Sequence, residues 1–264
     1  MTVAPTSHER SEPPLDARGL IKSYGGVQAV AGVDLSLARG RITGLIGPNG
    51  AGKTTLLNIM SGVERPTSGC IRLSGRDVTG LSAHRLAALG LVRTFQICRD
   101  LGHLTVLENL LVARPRQVGE TIIGLFARGR RVRDEEEAGV EEARTVLERV
   151  DLWRLADAPA TVLSGGQKKL LELCRALMLK PQVVLLDEPA AGVAPAMVAV
   201  LVATIRSLVS QGMTFLIVEH DLDLVASLCD RVYVMAVGRL LSEGSFAHVT
   251  SDRRVLEAYL GIKA

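Results

Sequence analysis

The segment Gly47-Pro48-Asn49-Gly50-Ala51-Gly52-Lys53-Thr54 fits the spacing G-x-x-x-x-G-K-[ST]. Glycines at these positions let successive backbone N–H groups curl around phosphate oxygens, because no Cβ stands in the way. A helix that follows aims its positive end at the same oxygens. In such a loop the lysine, Lys53, reaches the β- and γ-phosphates, and the hydroxyl of Thr54 ligates Mg2+. Thr55 completes the candidate binding segment. A second constellation is Val183-Val184-Leu185-Leu186-Asp187-Glu188, an apolar run ending in two acids. Beside a phosphate loop, Asp187 is placed to hold Mg2+, directly or through water. Glu188 is placed to accept a proton from an attacking water or to polarise it.

A third constellation is Leu163-Ser164-Gly165-Gly166-Gln167. Ser164 and Gln167 have the spacing of a capping box for a helix carrying Leu170, Leu171, Cys174, Leu177 and Met178. That accounts for the serine and the glutamine but not for two adjacent glycines. Gly-Gly at a helix start costs stability unless the backbone must approach something closely. A helix N-terminus with free N–H groups is a second anion site.

The elements that must position these residues follow from hydrophobic period and punctuation. Arg41 to Ile46 reads as a buried strand entering the phosphate loop, and Lys53 to Val63 as the helix leaving it. Val33 to Leu37 alternates as a half-buried strand, and Cys70 to Leu73 is a short one. Ser82 is an N-cap for a helix to Leu89, and Thr105 with Glu108 forms a capping box for a helix through Leu111. Residues 114–135 read as irregular and charged. The acids from Asp134 onward suit the first turn of a helix whose apolar face is Val140, Ala143, Val146, Leu147 and Val150. Further on, Val183 to Leu186 and Phe215 to Val218 are strands. Pro195 to Ser210, Asp221 to Cys229 and Arg253 to Leu260 are helices, and a hairpin turns at Gly238. Strands alternating with helices imply a parallel sheet covered on both faces, with ligands at the carboxyl ends of its strands.

Composition narrows the function classes. The 264 residues are 47% hydrophobic and 22% charged, which excludes global disorder and suits one large domain or two small ones. Aromatics are 3% and the net charge is +3, a poor match to a nucleic-acid-binding surface. The four cysteines make no CxxC pair, so they read as reduced thiols. Residues 1–14 are polar and proline-rich and read as a disordered extension. Pro189 to Ile205 is free of charge but contains Gly192 and Pro195 and is shorter than a membrane span. The arginines at 128, 130, 131 and 133 read as a solvated surface, with contact to lipid headgroups as the other reading.

The order of phosphate loop, Gln96, Leu-Ser-Gly-Gly-Gln, Leu-Leu-Asp-Glu-Pro and His220 resembles the ABC ATPase family, the ATP-binding subunits of ATP-binding-cassette transporters. The resemblance covers essentially residues 15–264. It implies an α/β fold: a P-loop NTPase core, mostly parallel sheet between helices, with an antiparallel β part and a helical subdomain inserted at about 97–178. It implies that Tyr24 stacks on adenine, where a core tyrosine is the other reading. Gln96, in Arg93-Thr94-Phe95-Gln96, would sense Mg2+ and the attacking water, and His220 would contact the γ-phosphate. Ser164, Gly165, Gly166 and Gln167 would close over the ATP of an opposite subunit. The implied partners are membrane permease subunits, a second ATPase subunit, identical or paralogous, and indirectly a solute-binding protein, on the cytoplasmic face of the cell membrane.

One departure is Ala194, where the family usually has Asp or Asn. Arg93 to Gln96, Leu104 to Asn109, Glu219-His220-Asp221 and Glu257 to Gly261 together resemble the ATPases of branched-chain amino acid importers, and the 114–135 insert resembles the larger of their two ATPases. That branch often has an aromatic where Gly165 stands. Urea or amide importers and the lipopolysaccharide-export ATPase are the nearest alternatives within the family. A soluble ABC protein of translation or DNA maintenance is the alternative outside transport.

Overall fold

The computed structural model describes residues 12–94, 102–115 and 129–260. In chain order it contains β1 (Leu15–Tyr24), β2 (Val27–Leu37), β3 (Ile42–Ile46), α1 (Lys53–Met60), β4 (Ser68–Leu73), β5 (Arg76–Asp77), α2 (Ala83–Ala88), β6 (Leu91–Arg93), α3 (Val106–Ala113) and α4 (Gly129–Glu148). There follow α5 (Gly165–Leu177), β7 (Val183–Asp187), α6 (Pro195–Ser210), β8 (Thr214–Val218), α7 (Leu222–Leu228), β9 (Arg231–Ala236), β10 (Arg239–Gly244), α8 (Phe246–Ser251) and α9 (Arg253–Leu260).

The six-stranded sheet has the order β10-β9-β3-β8-β7-β6, with β10 antiparallel and the other pairings parallel. Its central strands β3, β7 and β8 are buried throughout. Period two then sends alternate side chains to opposite layers. Val184, Leu186, Phe215 and Ile217 join α3, α4, α5 and α6 in one hydrophobic cluster. Val183, Leu185, Leu216, Val218 and Leu45 join α1 and the antiparallel sheet in the other. The expected parallel sheet covered on both faces is present.

The antiparallel sheet has the order β2-β1-β4-β5. The sequence reading saw only the end of β2 and missed β1. In β1, Leu15, Ala17 and Leu20 are fully buried, so the inward period of two breaks after Ala17. The cause is a register shift against β2 between Ala17 and Leu20, around Gly19 at φ +57°. A bulge of this kind adds a residue and hides the alternation.

Two boundaries and one cap also differ from expectation. Helix α4 starts at Gly129, ahead of the acidic block and inside the stretch read as irregular. Ser82 does sit at an N-cap, but its side chain makes no capping bond. Of the extension, residues 1–11 lie outside the described residues, while Pro14 is buried and its carbonyl accepts the N–H of Ser74 at 3.1 Å. The expectation for the arginine run applies in the described part to Arg133, which is exposed and pairs with Glu137 at 3.2 Å. No helix among the described residues is long and apolar enough to cross a membrane.

Ala194 occupies the N-cap of α6 with extended backbone, and no side chain caps the helix. Pro195 at the first helical position suits that start; the Ala194 carbonyl accepts the N–H groups of Met197 at 2.9 Å and Val198 at 3.1 Å, but residue 194 offers no side-chain acceptor to the first turn. Ala194→Asp supplies one and is expected to stabilise the chain by about 1 kcal/mol. Scanning calorimetry should show a thermal midpoint higher by roughly 2–4 °C; an unchanged or lower midpoint would count against the cap.

Candidate functional site

The sheet register builds the site. Leu45 of β3 and Asp187 of β7 both stand opposite Val218 of β8. The three strands therefore end at one level on one edge. The residues just beyond them, Gly47 onward, Glu188, and Glu219-His220, emerge side by side.

The phosphate loop leaves β3 and turns into α1 through glycines that nothing else can replace. Gly47 has φ +148° and Gly52 φ +98°. A Cβ would stand 2.1 Å from the Met235 carbonyl oxygen at Gly47 and 2.3 Å from that of Ala29 at Gly52. The loop is thus pressed against β9 and β2. Gly52 is the N-cap of α1 and offers no side-chain acceptor to the free N–H groups of the first turn.

Lys53 is buried, and its ammonium donates to the carbonyls of Gly47 at 2.7 Å and Pro48 at 3.1 Å. Burial pushes its pKa below the ordinary lysine value, and the negative charges of Glu188 and Asp187 pull it partway back. Asp187 at the end of β7 and Glu188 just beyond it are therefore within electrostatic reach of the lysine.

Asp187 is 3% exposed, and its Oδ2 accepts from Arg93 Nη2 at 2.8 Å. Arg93 also donates through Nη1 to Asn58 Oδ1 at 2.7 Å and to Ser61 Oγ at 3.2 Å. One guanidinium thus ties the end of β6 to the carboxylate of β7 and to the helix of the phosphate loop. Sequence reasoning gave Arg93 no role. Its signal was a charged residue ending a short apolar strand, three positions before Gln96.

Glu188 has φ +47°, a left-handed conformation that costs a β-branched or acidic residue energy and recurs at functional sites. Its N–H donates to the Val218 carbonyl at 2.9 Å. Its Oε1 lies 2.9 Å from His220 Nε2. The two residues that the sequence placed 32 apart are therefore in direct contact.

Among the described residues no cluster of three or more His, Cys, Asp or Glu is arranged to hold a metal. Mg2+ does not require one, because it is commonly held by one or two protein oxygens together with substrate phosphates and water. The exposed Thr54 hydroxyl and the Asp187 carboxylate fit that demand.

Tyr24 is 46% exposed, so the core-tyrosine reading fails. Its hydroxyl bonds the Glu64 carboxylate and lies within hydrogen-bonding influence of Thr55. The ring therefore stands beside the first turn of α1, with the Lys22 ammonium 5.1 Å from its centroid. Gln96 lies outside the described residues.

Ser164 and Gln167 form the expected capping box: Ser164 N–H donates to Gln167 Oε1 at 2.9 Å, and Gln167 N–H to Ser164 Oγ at 3.3 Å. The two glycines turn out to have different reasons. A Cβ on Gly166 would lie 3.0 Å from Met197 Cβ and 3.1 Å from Val193 Cγ1, so this glycine lets α5 approach α6. A Cβ on Gly165 would meet nothing within 4 Å, so no packing in its own chain calls for glycine there.

A phosphate loop, a strand ending in Asp-Glu and a Ser-Gly-Gly-Gln helix start now stand on one fold, and the profile of the ABC transporter family matches residues 30–191. The chain belongs to the ABC transporter family. The family's ATP-binding domain binds and hydrolyses ATP. The relatives are full-length matches. A probable branched-chain amino acid transport ATP-binding protein, LivG, of Archaeoglobus fulgidus is 42% identical over 247 residues, spanning 94% of this chain and 95% of the relative. The high-affinity branched-chain amino acid transport ATP-binding protein BraF of Pseudomonas aeruginosa is 41% identical, over 95% of this chain and 99% of its own. A crystal structure of the ADP conformation of an ATP-binding cassette of an ABC transporter superposes with a TM-score of 0.81 at 39% identity, covering 94% and 99% of the two chains.

The different surroundings of the two adjacent glycines, Gly165 and Gly166, can be measured. Gly166→Ala should lower the thermal midpoint by the equivalent of about 1–3 kcal/mol, the usual cost of overpacking. Gly165→Ala should lower it not at all, since alanine is also the better helix former. A Gly165→Ala variant that melts well below the parent would contradict the open space seen there.

Proposed function

We propose that the chain is the ATP-hydrolysing subunit of a transporter that takes up branched-chain or related amino acids. The observation that carries the catalytic half is the 2.9 Å contact of Glu188 with His220 at the same sheet edge as the buried Lys53. The names of the relatives above support the cargo.

In this reading the backbone N–H groups of the loop between Gly47 and Thr54 and the dipole of α1 receive the triphosphate. Lys53 then exchanges the carbonyls of Gly47 and Pro48 for phosphate oxygens. Tyr24 offers an exposed aromatic face to the adenine, and Thr55 lies beside it. Thr54 and Asp187, with Gln96, would hold Mg2+, which supplies positive charge against the phosphates when bound. Glu188 accepts the proton of the attacking water, and His220 holds the Glu188 carboxylate and approaches the γ-phosphate side of the site. Ser164 and Gly165, with the helix start at Gly166 and Gln167, in a second subunit close over the ATP. Gly165 suits this, because its exposed position leaves room for another molecule's phosphate. The subunit would sit peripherally at the cytoplasmic face of the inner membrane, on permease subunits that carry the cargo supplied by a solute-binding protein.

Three measurements test this. Glu188→Gln should keep ATP affinity and lose hydrolysis by roughly 10²-fold or more, the usual weight of a general base; an unchanged turnover would remove Glu188 from the chemistry. Lys53→Ala should abolish ATP binding in titration calorimetry, and near-parental affinity would overturn the phosphate-loop assignment. Deletion of the gene should abolish uptake of labelled leucine, isoleucine and valine, restored by the parent chain but not by Glu188→Gln. Undiminished uptake of all three would overturn the cargo.

A further inference from the structure

The residue before His220 is a buried carboxyl that the catalytic reading leaves unused. Glu219 is 3% exposed, although it directly follows the apolar strand β8. Its two oxygens point to different loops. Oε1 accepts the N–H of Ala190 at 2.9 Å, in the segment that follows Glu188. Oε2 accepts the N–H of its neighbour His220 at 3.1 Å. A single rigid carboxylate therefore spans the two loops whose side chains meet at the Glu188–His220 contact.

The position is costly to fill with an acid. Burial pushes the Glu219 pKa above the ordinary glutamate value, and the backbone N–H groups of Ala190, His220 and Asp221 pull it back. The nearby charge of Glu188 adds to the rise. A buried carboxyl persists where its acceptor capacity is used. The loop after β7 carries unusual backbone: Glu188 is left-handed, and a left-handed residue keeps its conformation only when its surroundings over-determine it. The Val218 carbonyl binds the Glu188 N–H, and the Glu219 carboxylate adds a tie at Ala190, on the far side of Glu188.

We infer that Glu219 is a positioning residue of the hydrolytic step: its carboxylate clamps the loop after β7 to the loop after β8 and so sets the approach of Glu188 to His220. The inference rests on the proposed roles of Glu188 and His220. Only a carboxylate does this with two acceptors. An amide of the same shape keeps one acceptor and turns an N–H donor on the other loop. An aspartate is one methylene too short to span both.

The test is steady-state ATP hydrolysis, ATP affinity and thermal melting on the full chain, comparing the parent with Glu219→Gln, Glu219→Asp and Glu188→Gln. Glu219→Gln should lower kcat about tenfold or more, since misplacement of reacting groups by about 1 Å costs up to 10²-fold. Its ATP dissociation constant should stay within about twofold of the parent, because the phosphate loop lies on another strand. Glu219→Asp should fail to restore kcat. Loss of kcat and of ATP affinity together, in proportion to a lowered melting point, would mean that Glu219 serves stability alone and would overturn the inference. Parental kcat in Glu219→Gln would overturn it as well. If Glu188→Gln itself keeps full turnover, the base assignment falls first. If Glu188→Gln is inactive while Glu219→Gln is not, only the clamp falls. Should Glu219→Gln not fold, the melting and affinity of Glu219→Asp decide by the same criteria.

Discussion

A buried ammonium held by two carbonyls is the constraint on which the site is organised. Lys53 has lost most of its water, yet its direct partners are the neutral oxygens of Gly47 and Pro48, with the carboxylates of Asp187 and Glu188 acting from farther off. Such an ion is incompletely compensated, and an arriving phosphate improves its surroundings more than it would improve those of a solvated lysine. The same burial requires that Asp187 be kept from collapsing onto the lysine as a closed ion pair. Arg93 does this by engaging Asp187 at 2.8 Å while bonding Asn58 and Ser61 on α1. The positive and negative members of the site are thus held apart by the architecture rather than paired off.

That separation depends on the parallel sheet. β3, β7 and β8 are adjacent or once removed, and their ends are level in register. A slip of one residue in β7 would turn Asp187 to the other face and carry Glu188 away from His220. The apolar runs Val183 to Leu186 and Phe215 to Val218 protect against this, because their side chains on both faces are buried in hydrophobic clusters. Stability and catalysis are therefore secured by the same side chains, Val183 to Leu186 and Phe215 to Val218.

Much of this was legible in the sequence, for identifiable reasons. The phosphate loop, the Asp-Glu strand end and the Ser164–Gln167 cap are local: their residue types and short spacings dictate their conformations. The strand β1 was not legible, because a bulge near Gly19 breaks its period. The early start of α4 was hidden by arginines and glycine that carry no apolar stripe. Nor could spacing alone bring out Arg93 or Glu219. Both act through partners far along the chain, 94 residues away for Arg93 and Asp187 and 29 for Glu219 and Ala190. A polar residue at the end of an apolar strand is common, and only the folded register tells which of them faces a neighbouring loop. The doubled glycine was read as one feature, but packing separates it into a helix-contact residue, Gly166, and an open one, Gly165.

The contact of Gly166 with Met197 and Val193 has a mechanical meaning. Those two residues flank Ala194, and the chain from Glu188 to Ala194 is a short connector with a positive-φ residue at each of Glu188 and Gly192. The start of α5 is thereby hooked to the start of α6, and α6 is leashed to Glu188 by a few residues. A push on the outer face of α5 would be transmitted along this leash, so that a shift of that helix and the aim of the Glu188 side chain become two readings of one displacement.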